Sequence, residues 1–149
     1  MKTAPKLFAL CMLLIVTFLA KAQVVTSSRP ALFNNFSANI PASVAELDKA
    51  FTATPGSSIQ FNFAGKLPFS GIVLSSVQKY SNLSSVIIKS SLLQNALLSI
   101  SKRINDDNTI TYVGRIINEK YADGYELKKD NTGNYSFNKI KTDDLIQDF

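Results

Sequence analysis

The sequence predicts a mainly β fold: an antiparallel meander of about seven strands in a curled sheet, open barrel or sandwich, with one short N-terminal helix and a C-terminal helical turn. Three observations carry this expectation. Apolar residues alternate with polar ones at Ile59-Gln60-Phe61-Asn62-Phe63, and Ala96, Leu98 and Ile100 alternate with Leu97, Ser99 and Ser101. Clusters of turn residues, Asn105-Asp106-Asp107-Asn108 and Asp130-Asn131-Thr132-Gly133, punctuate the second half. The connections are mostly short, and short connections join antiparallel neighbours, because a parallel crossover needs about a dozen residues or more.

The helix comes first. Ser43-Val44-Ala45-Glu46 has the capping-box spacing, in which the Ser43 hydroxyl and the Glu46 carboxylate satisfy each other's free backbone N–H groups. Val44, Leu47 and Phe51 line one helical face, Glu46, Asp48 and Lys49 the other, and Thr54-Pro55-Gly56 stops the run. The first strand follows with Ile59, Phe61 and Phe63 on one face, and residues 65–68 break it. The second spans Phe69 to Tyr80, the third Ser84 to Ser90, and the fourth places Ala96, Leu98 and Ile100 on one side. Serines and the preceding β-branched run argue against a helix over Leu92 to Ile100. A fifth strand runs from Thr109 to Asn118. After a break at Ala122-Asp123-Gly124, Tyr125 to Lys128 and Asn134 to Ile140 flank a hairpin turn whose Asn and Gly tolerate positive φ. Thr142 is placed to cap a closing helical turn, with Asp143 and Asp144 favourable in its first turn and Leu145, Ile146 and Phe149 docking it.

Ahead of this domain, the first 22 residues read as an export signal. Lys2 and Lys6 form a positive start, Leu7 to Ala20 an apolar run, and Ala20-Lys21-Ala22 a small-x-small cleavage site. The run is about 14 residues, short of the roughly 20 that cross a bilayer as a stable helix. Leu10, a bulky residue, precedes Cys11, which argues against lipidation there. The expected organisation is therefore 1–22 signal peptide, 23–38 polar lead-in and 39–149 a single β-rich domain, exported to the periplasm or beyond and without a stable membrane span after cleavage. Cys11 is the only cysteine and leaves with the signal, so no disulfide is expected even though the compartment permits one.

The formal charge of +5 overstates how basic the working protein is. Lys2, Lys6 and Lys21 belong to the signal, and without them the balance falls to about +2. No basic run exceeds a pair, as in Lys102-Arg103, so the clustered positive face that nucleic acids require is missing.

Candidate chemistry is sparse. The chain has no histidine, which excludes Ser-His-Asp and Cys-His catalysis and histidine-ligated metals. Glu119, Asp123 and Glu126 lie close enough in sequence to suggest an acid pair, but they sit beside turn residues and lysines. Ser101-Lys102 and Lys89-Ser90 are adjacent in strands and so point to opposite faces. The acidic turns at Asp106-Asp107 and Asp130 lack the remaining ligands of a calcium loop. No catalytic, metal or cofactor site is expected. Aromatic residues concentrate in the last strands, and Tyr112, Arg115, Tyr121, Tyr125 and Tyr135 form the candidate binding face.

The signal ending in Lys21-Ala22-Gln23, the cysteine-free mature part and its Lys/Asn/Ile/Ser-rich body resemble small exported proteins of Bacteroidota-type bacteria. The stretch from Tyr112-Val113-Gly114-Arg115-Ile116-Ile117 through Tyr121 to Leu127 and on to Asn134-Tyr135-Ser136-Phe137 resembles the β-rich N-terminal regions that precede secreted metallopeptidase domains there. The resemblance implies a stand-alone, propeptide-like domain. It carries no catalytic residue across, because the zinc-binding histidines are absent. The expected function is a non-enzymatic module that binds or masks an exported protein partner. The alternatives are a carrier of a small apolar ligand inside a curled sheet, and an enzyme working with carboxylates alone. N-terminal sequencing of the exported protein tests the signal: the first cycle is expected to release Gln23, and an intact Met1 would refute cleavage.

Overall fold

The computed structural model describes residues 29–145. The expected export signal, residues 23–28, and two of the expected docking residues, Ile146 and Phe149, lie outside the described residues. The fold is mainly β, as the alternation predicts. The elements are β1 (Asn39–Ala42), α1 (Val44–Thr52), β2 (Ser58–Phe63), β3 (Leu67–Tyr80), β4 (Leu83–Ser90), β5 (Leu97–Ile104), β6 (Ile110–Ile117), β7 (Asp123–Lys129), β8 (Tyr135–Lys141) and a closing 3₁₀ turn, Asp143–Leu145.

The eight strands form one antiparallel sheet in the order β1-β8-β7-β6-β5-β4-β3-β2, curled into a half-barrel. Strands β2 to β8 are a continuous meander. β1 joins from the other end, pairing with β8 through Ile40 opposite Phe137 and Ala42 opposite Tyr135. α1 then carries the chain from the β1 edge to the β2 edge, with Leu47 and Ala50 fully buried. Curling brings the far ends together, so that the Phe63 ring of β2 meets Phe137 of β8 edge-on at 4.9 Å between centroids. The concave face is the core: Phe61, Phe63, Leu67, Phe69, Val86, Ile88, Leu98, Ile100, Ile116, Tyr125 and Phe137 are all buried there.

Curvature has local causes. Register shifts in β3 between Val73 and Ser75, and between Gln78 and Tyr80, mark bulges at Leu74 and Lys79 that bend the long strand. Gly71 sits against the adjacent strand so closely that a Cβ there would lie 2.2 Å from the Lys89 carbonyl oxygen. Gly124 makes a similar approach to β6, where a Cβ would lie 2.7 Å from the Ile116 carbonyl oxygen. Glycine at such points lets neighbouring strands turn sharply without collision.

Several boundaries differ from the sequence reading, each for an identifiable reason. The sheet has eight strands rather than about seven. The addition, β1, is four residues long and contains Pro41, a residue tolerated only on an edge where its missing N–H is not needed. Pro68 lies inside β3, opposite Asn62, so the expected break spans only the preceding turn, where Ala64 and Gly65 take positive φ. Asp123 and Gly124 open β7 instead of separating strands. In α1, Ser43 caps as expected, its hydroxyl accepting from the Glu46 N–H at 3.3 Å. Glu46 does not reciprocate: its carboxylate accepts from Lys49 and from the Asn62 N–H of β2. Val44 is largely exposed, and Phe51 is only partly buried. The Thr142 hydroxyl donates to the Tyr121 carbonyl at 2.8 Å rather than capping the last turn.

Replacing Gly71 with alanine tests the curl. Gly71→Ala is expected to cost about 1–3 kcal/mol in urea unfolding as the neighbouring strand is forced away; an unchanged midpoint would mean the sheet has slack there.

Candidate functional site

The structure divides the five candidate binding residues between two faces. Tyr112, Tyr125 and Tyr135 point into the concave side and are buried. Tyr121 is partly buried in the β6–β7 connection, and Arg115 stands on the outer face of β6. Only Tyr112 and Tyr135 meet, edge-on at 5.4 Å, with the Tyr135 hydroxyl accepting from the Tyr112 N–H at 3.1 Å.

Tyr112 belongs to a cluster that ties α1 to the sheet. Its hydroxyl donates to Asp48 Oδ1 at 2.7 Å, and Lys102 Nζ donates to the same oxygen at 2.7 Å. The ammonium also lies over the rings of Phe51 and Tyr112, 5.8 and 5.9 Å from their centroids. Burial and then the Asp48 hydrogen bond push the Tyr112 phenol well above its ordinary range. Burial alone would raise the Asp48 carboxyl too, but the bonds from Lys102 and Tyr112 outweigh it and hold that group low. A phenol kept protonated and a carboxylate already shared between two donors make an anchor rather than an acid–base pair.

The other chemical candidates disperse. Glu119 is exposed and contributes only its carbonyl, which accepts from Arg29. Glu126 faces outward, its carboxyl held low by Arg115, against a smaller effect of burial, and by Lys128. Asp123 is buried and points elsewhere. Asp107 and Asp130 accept from the backbone and hydroxyl of the residue two positions on, Thr109 and Thr132, which accounts for both turns without a metal. Among the described residues, no group of three or more potential ligands could hold a metal ion. Ser101 pairs outward with Ser85 while Lys102 turns inward to Asp48, so these neighbours are on opposite faces as their strand position requires.

Asp123 has a role the sequence did not disclose. Its two oxygens accept from the Leu32 and Phe33 N–H groups at 2.6 and 2.9 Å. Lys139 Nζ, from β8, donates to the carbonyls of Phe33 and Phe36 at 2.7 and 2.9 Å. The Tyr125 hydroxyl donates to the Ser37 carbonyl at 2.7 Å, and burial followed by the nearby Asp123 charge pushes that phenol up to about 12. Phe33 is fully buried, edge-on to Tyr125 at 5.0 Å. The polar lead-in is thus seated by side chains of β7 and β8. Phe33 and Phe36 were the available signal, spaced by three within a polar stretch.

The outer face is the other surface of note. Across β3 to β6, register aligns Val77, Ser85, Ser101 and Val113 in one row and Ile72, Lys89, Leu97 and Ile117 in another. Val77 and Val113 are 50% and 58% exposed, and Leu74, at the first bulge, is 52%. A groove of about 530 Å³ runs beside them, lined by Ser99, Ser101, Val113, Arg115, Ile117 and Glu126.

No protein family matches the chain, and neither curated proteins nor solved structures give a significant match to it. Among the described residues no helix is long and apolar enough to cross a membrane.

The Asp48 anchor makes stability depend on acid. Its carboxyl titrates lower in the folded chain than the ordinary value of about 3.9, so its contribution is complete above that value and disappears as pH falls through the folded pKa. Asp48→Asn is expected to lower the melting temperature at neutral pH and to flatten its decline below about pH 4. Parallel acid limbs in the two proteins would show that Asp48 does not contribute.

Proposed function

We propose that this chain is an exported, non-enzymatic module that binds or masks a protein partner through the outer face of β3 to β6. One observation carries the reading. That face sets Ile72, Leu74, Val77, Leu97 and Val113 among serines, with no acidic residue on those four strands. The charges on this face are cations, Lys89 and Arg115 among them, and depletion of acidic residues beside exposed apolar side chains and arginine is a mark of interface cores. Singly exposed apolar residues are ordinary, whereas Val77 and Val113 in register across two serines, with Ile72, Leu97 and Ile117 in register around Lys89, give one face several apolar contacts for a partner. Val77 and Val113 lie three strands apart, about 14 Å, a span that one partner element covers.

Chemistry favours binding over catalysis. Asp48, Asp123, Glu126 and Lys102 each have structural partners that occupy them. A carrier of an apolar ligand is the weaker alternative, because the space it needs is filled by Leu47 of α1 and the rings of Phe33, Phe61, Phe63, Phe69, Phe137 and Tyr125. The signal-like pattern of the first 22 residues supports export.

The test uses the host's own exported fraction. A double variant, Val77→Glu with Val113→Glu, is expected to keep the wild-type melting temperature within about 2 °C, since exposed substitutions rarely exceed about 0.5 kcal/mol, and to lose the partner that the wild type retains at physiological salt. Equal retention by both proteins, or a wild type that retains nothing, would overturn the assignment of this face.

A further inference from the structure

Residues 29–38 make an unusual contact with the rest of the chain. The segment forms no strand, yet its main chain is met group by group. Asp123 accepts two consecutive N–H groups, Lys139 donates to two carbonyls, Tyr125 donates to a third, and the Ala122 N–H donates to the Pro30 carbonyl at 2.9 Å. Phe33 is the one fully buried side chain between them, with Leu32 and Phe36 partly buried beside it. Main-chain hydrogen bonds for affinity and one buried side chain for selectivity are the means by which proteins bind peptides. The groups that meet this main chain belong to β7, β8 and the residue before β7, within a meander that is continuous without this segment, while the Arg29 side chain reaches Glu119, Thr142 and Asp143.

We propose that the groove over β7 and β8 is a peptide-recognition site occupied in cis by residues 32–37, and that it accepts in trans a peptide with an aromatic residue in the place of Phe33. The fitting partner is an uncharged, irregular segment of the type Leu-Phe-x-x-Phe. Asp123 and Lys139 would hold its main chain as they hold the strap's, so the sequence demands fall on the aromatic anchor. The strap is then an internal competitor. Tethering gives it an effective concentration on the order of millimolar, so an incoming peptide gains access only when the strap leaves. This site is independent of the outer face of β3 to β6.

The experiment weakens the strap and supplies a substitute. The full chain carrying Phe33→Ala is titrated, by calorimetry, with a synthetic peptide of the sequence of residues 29–38. Saturable binding is expected, at least about tenfold tighter than to the wild type, whose site is filled by the tethered strap. The Phe33→Ala version of the peptide is expected not to bind, and adding Asp123→Asn to the variant chain is expected to weaken binding at least tenfold. A folded Phe33→Ala chain that binds nothing overturns the proposal. Hydrogen exchange on the wild type decides independently, even if that variant does not fold. The Leu32 and Phe33 amides are expected to exchange at least tenfold faster than those of β5, because the strap leaves while the sheet holds. Exchange of both sets through one common opening would make the strap inseparable from the core and overturn the proposal.

Discussion

Everything in this molecule follows from a single sheet having to bury one face without a second sheet to cover it. The apolar residues of each strand suffice for one side only, and the other carries serine, threonine and asparagine with scattered aliphatics. A flat sheet of eight strands would leave its apolar side wet at a cost of about 25 cal/mol for every Å². Curling solves the problem, because the concave side shrinks until Phe63 of β2, one end of the strand order, touches Phe137 of β8, next to the other end. Gly71, Gly124 and the bulges of β3 are the places where the backbone yields.

Curling leaves the mouth and edges of the half-barrel to be closed, and the N-terminal fifth of the described chain, residues 29–52, does this. β1 covers the free side of β8. α1 spans the concavity, fixed by Asp48 to Lys102 and Tyr112 and by Glu46 to the edge of β2. The strap before β1 seals the remaining end through Phe33. Apart from the Glu46 bond to β2, 16 positions away, these contacts join residues about 50 to 100 positions apart, the kind of pairing that loop-closure entropy disfavours until the sheet already exists. The strap and helix therefore complete a form that β2 to β8 impose, and that order makes the strap the natural element to open first.

The strands were legible in the sequence because burial on one face forces a period of two, and Ile59-Phe61-Phe63 or Ala96-Leu98-Ile100 can satisfy it in only one way. The hairpin turns were legible because Asn108 and Gly133 take the positive φ for which their side chains are suited. β1 was not, since four residues with a central proline have too little alternation to register. Asp123 was misplaced for a related reason: Ala-Asp-Gly has turn chemistry, and only its partners, about 90 residues earlier, make it a strand residue with a buried carboxylate. Tyr112, Tyr125 and Tyr135 lie on the last three strands, whereas Tyr121 falls in the β6–β7 connection. Sequence period alone does not say that Tyr112, Tyr125 and Tyr135 turn inward while Arg115 turns out.

By itself, then, the sequence determined the class of fold, the short antiparallel connections and the lack of histidine chemistry, because composition and local periodicity do not depend on what lies across the molecule. Tertiary structure decided which face of each strand is wet, how far the sheet curls and which segment closes it. Those outcomes depend on pairing between distant residues, such as Asp123 with Phe33 or Asp48 with Tyr112, whose hydrogen bonds exist only once the sheet has brought them within about 3 Å.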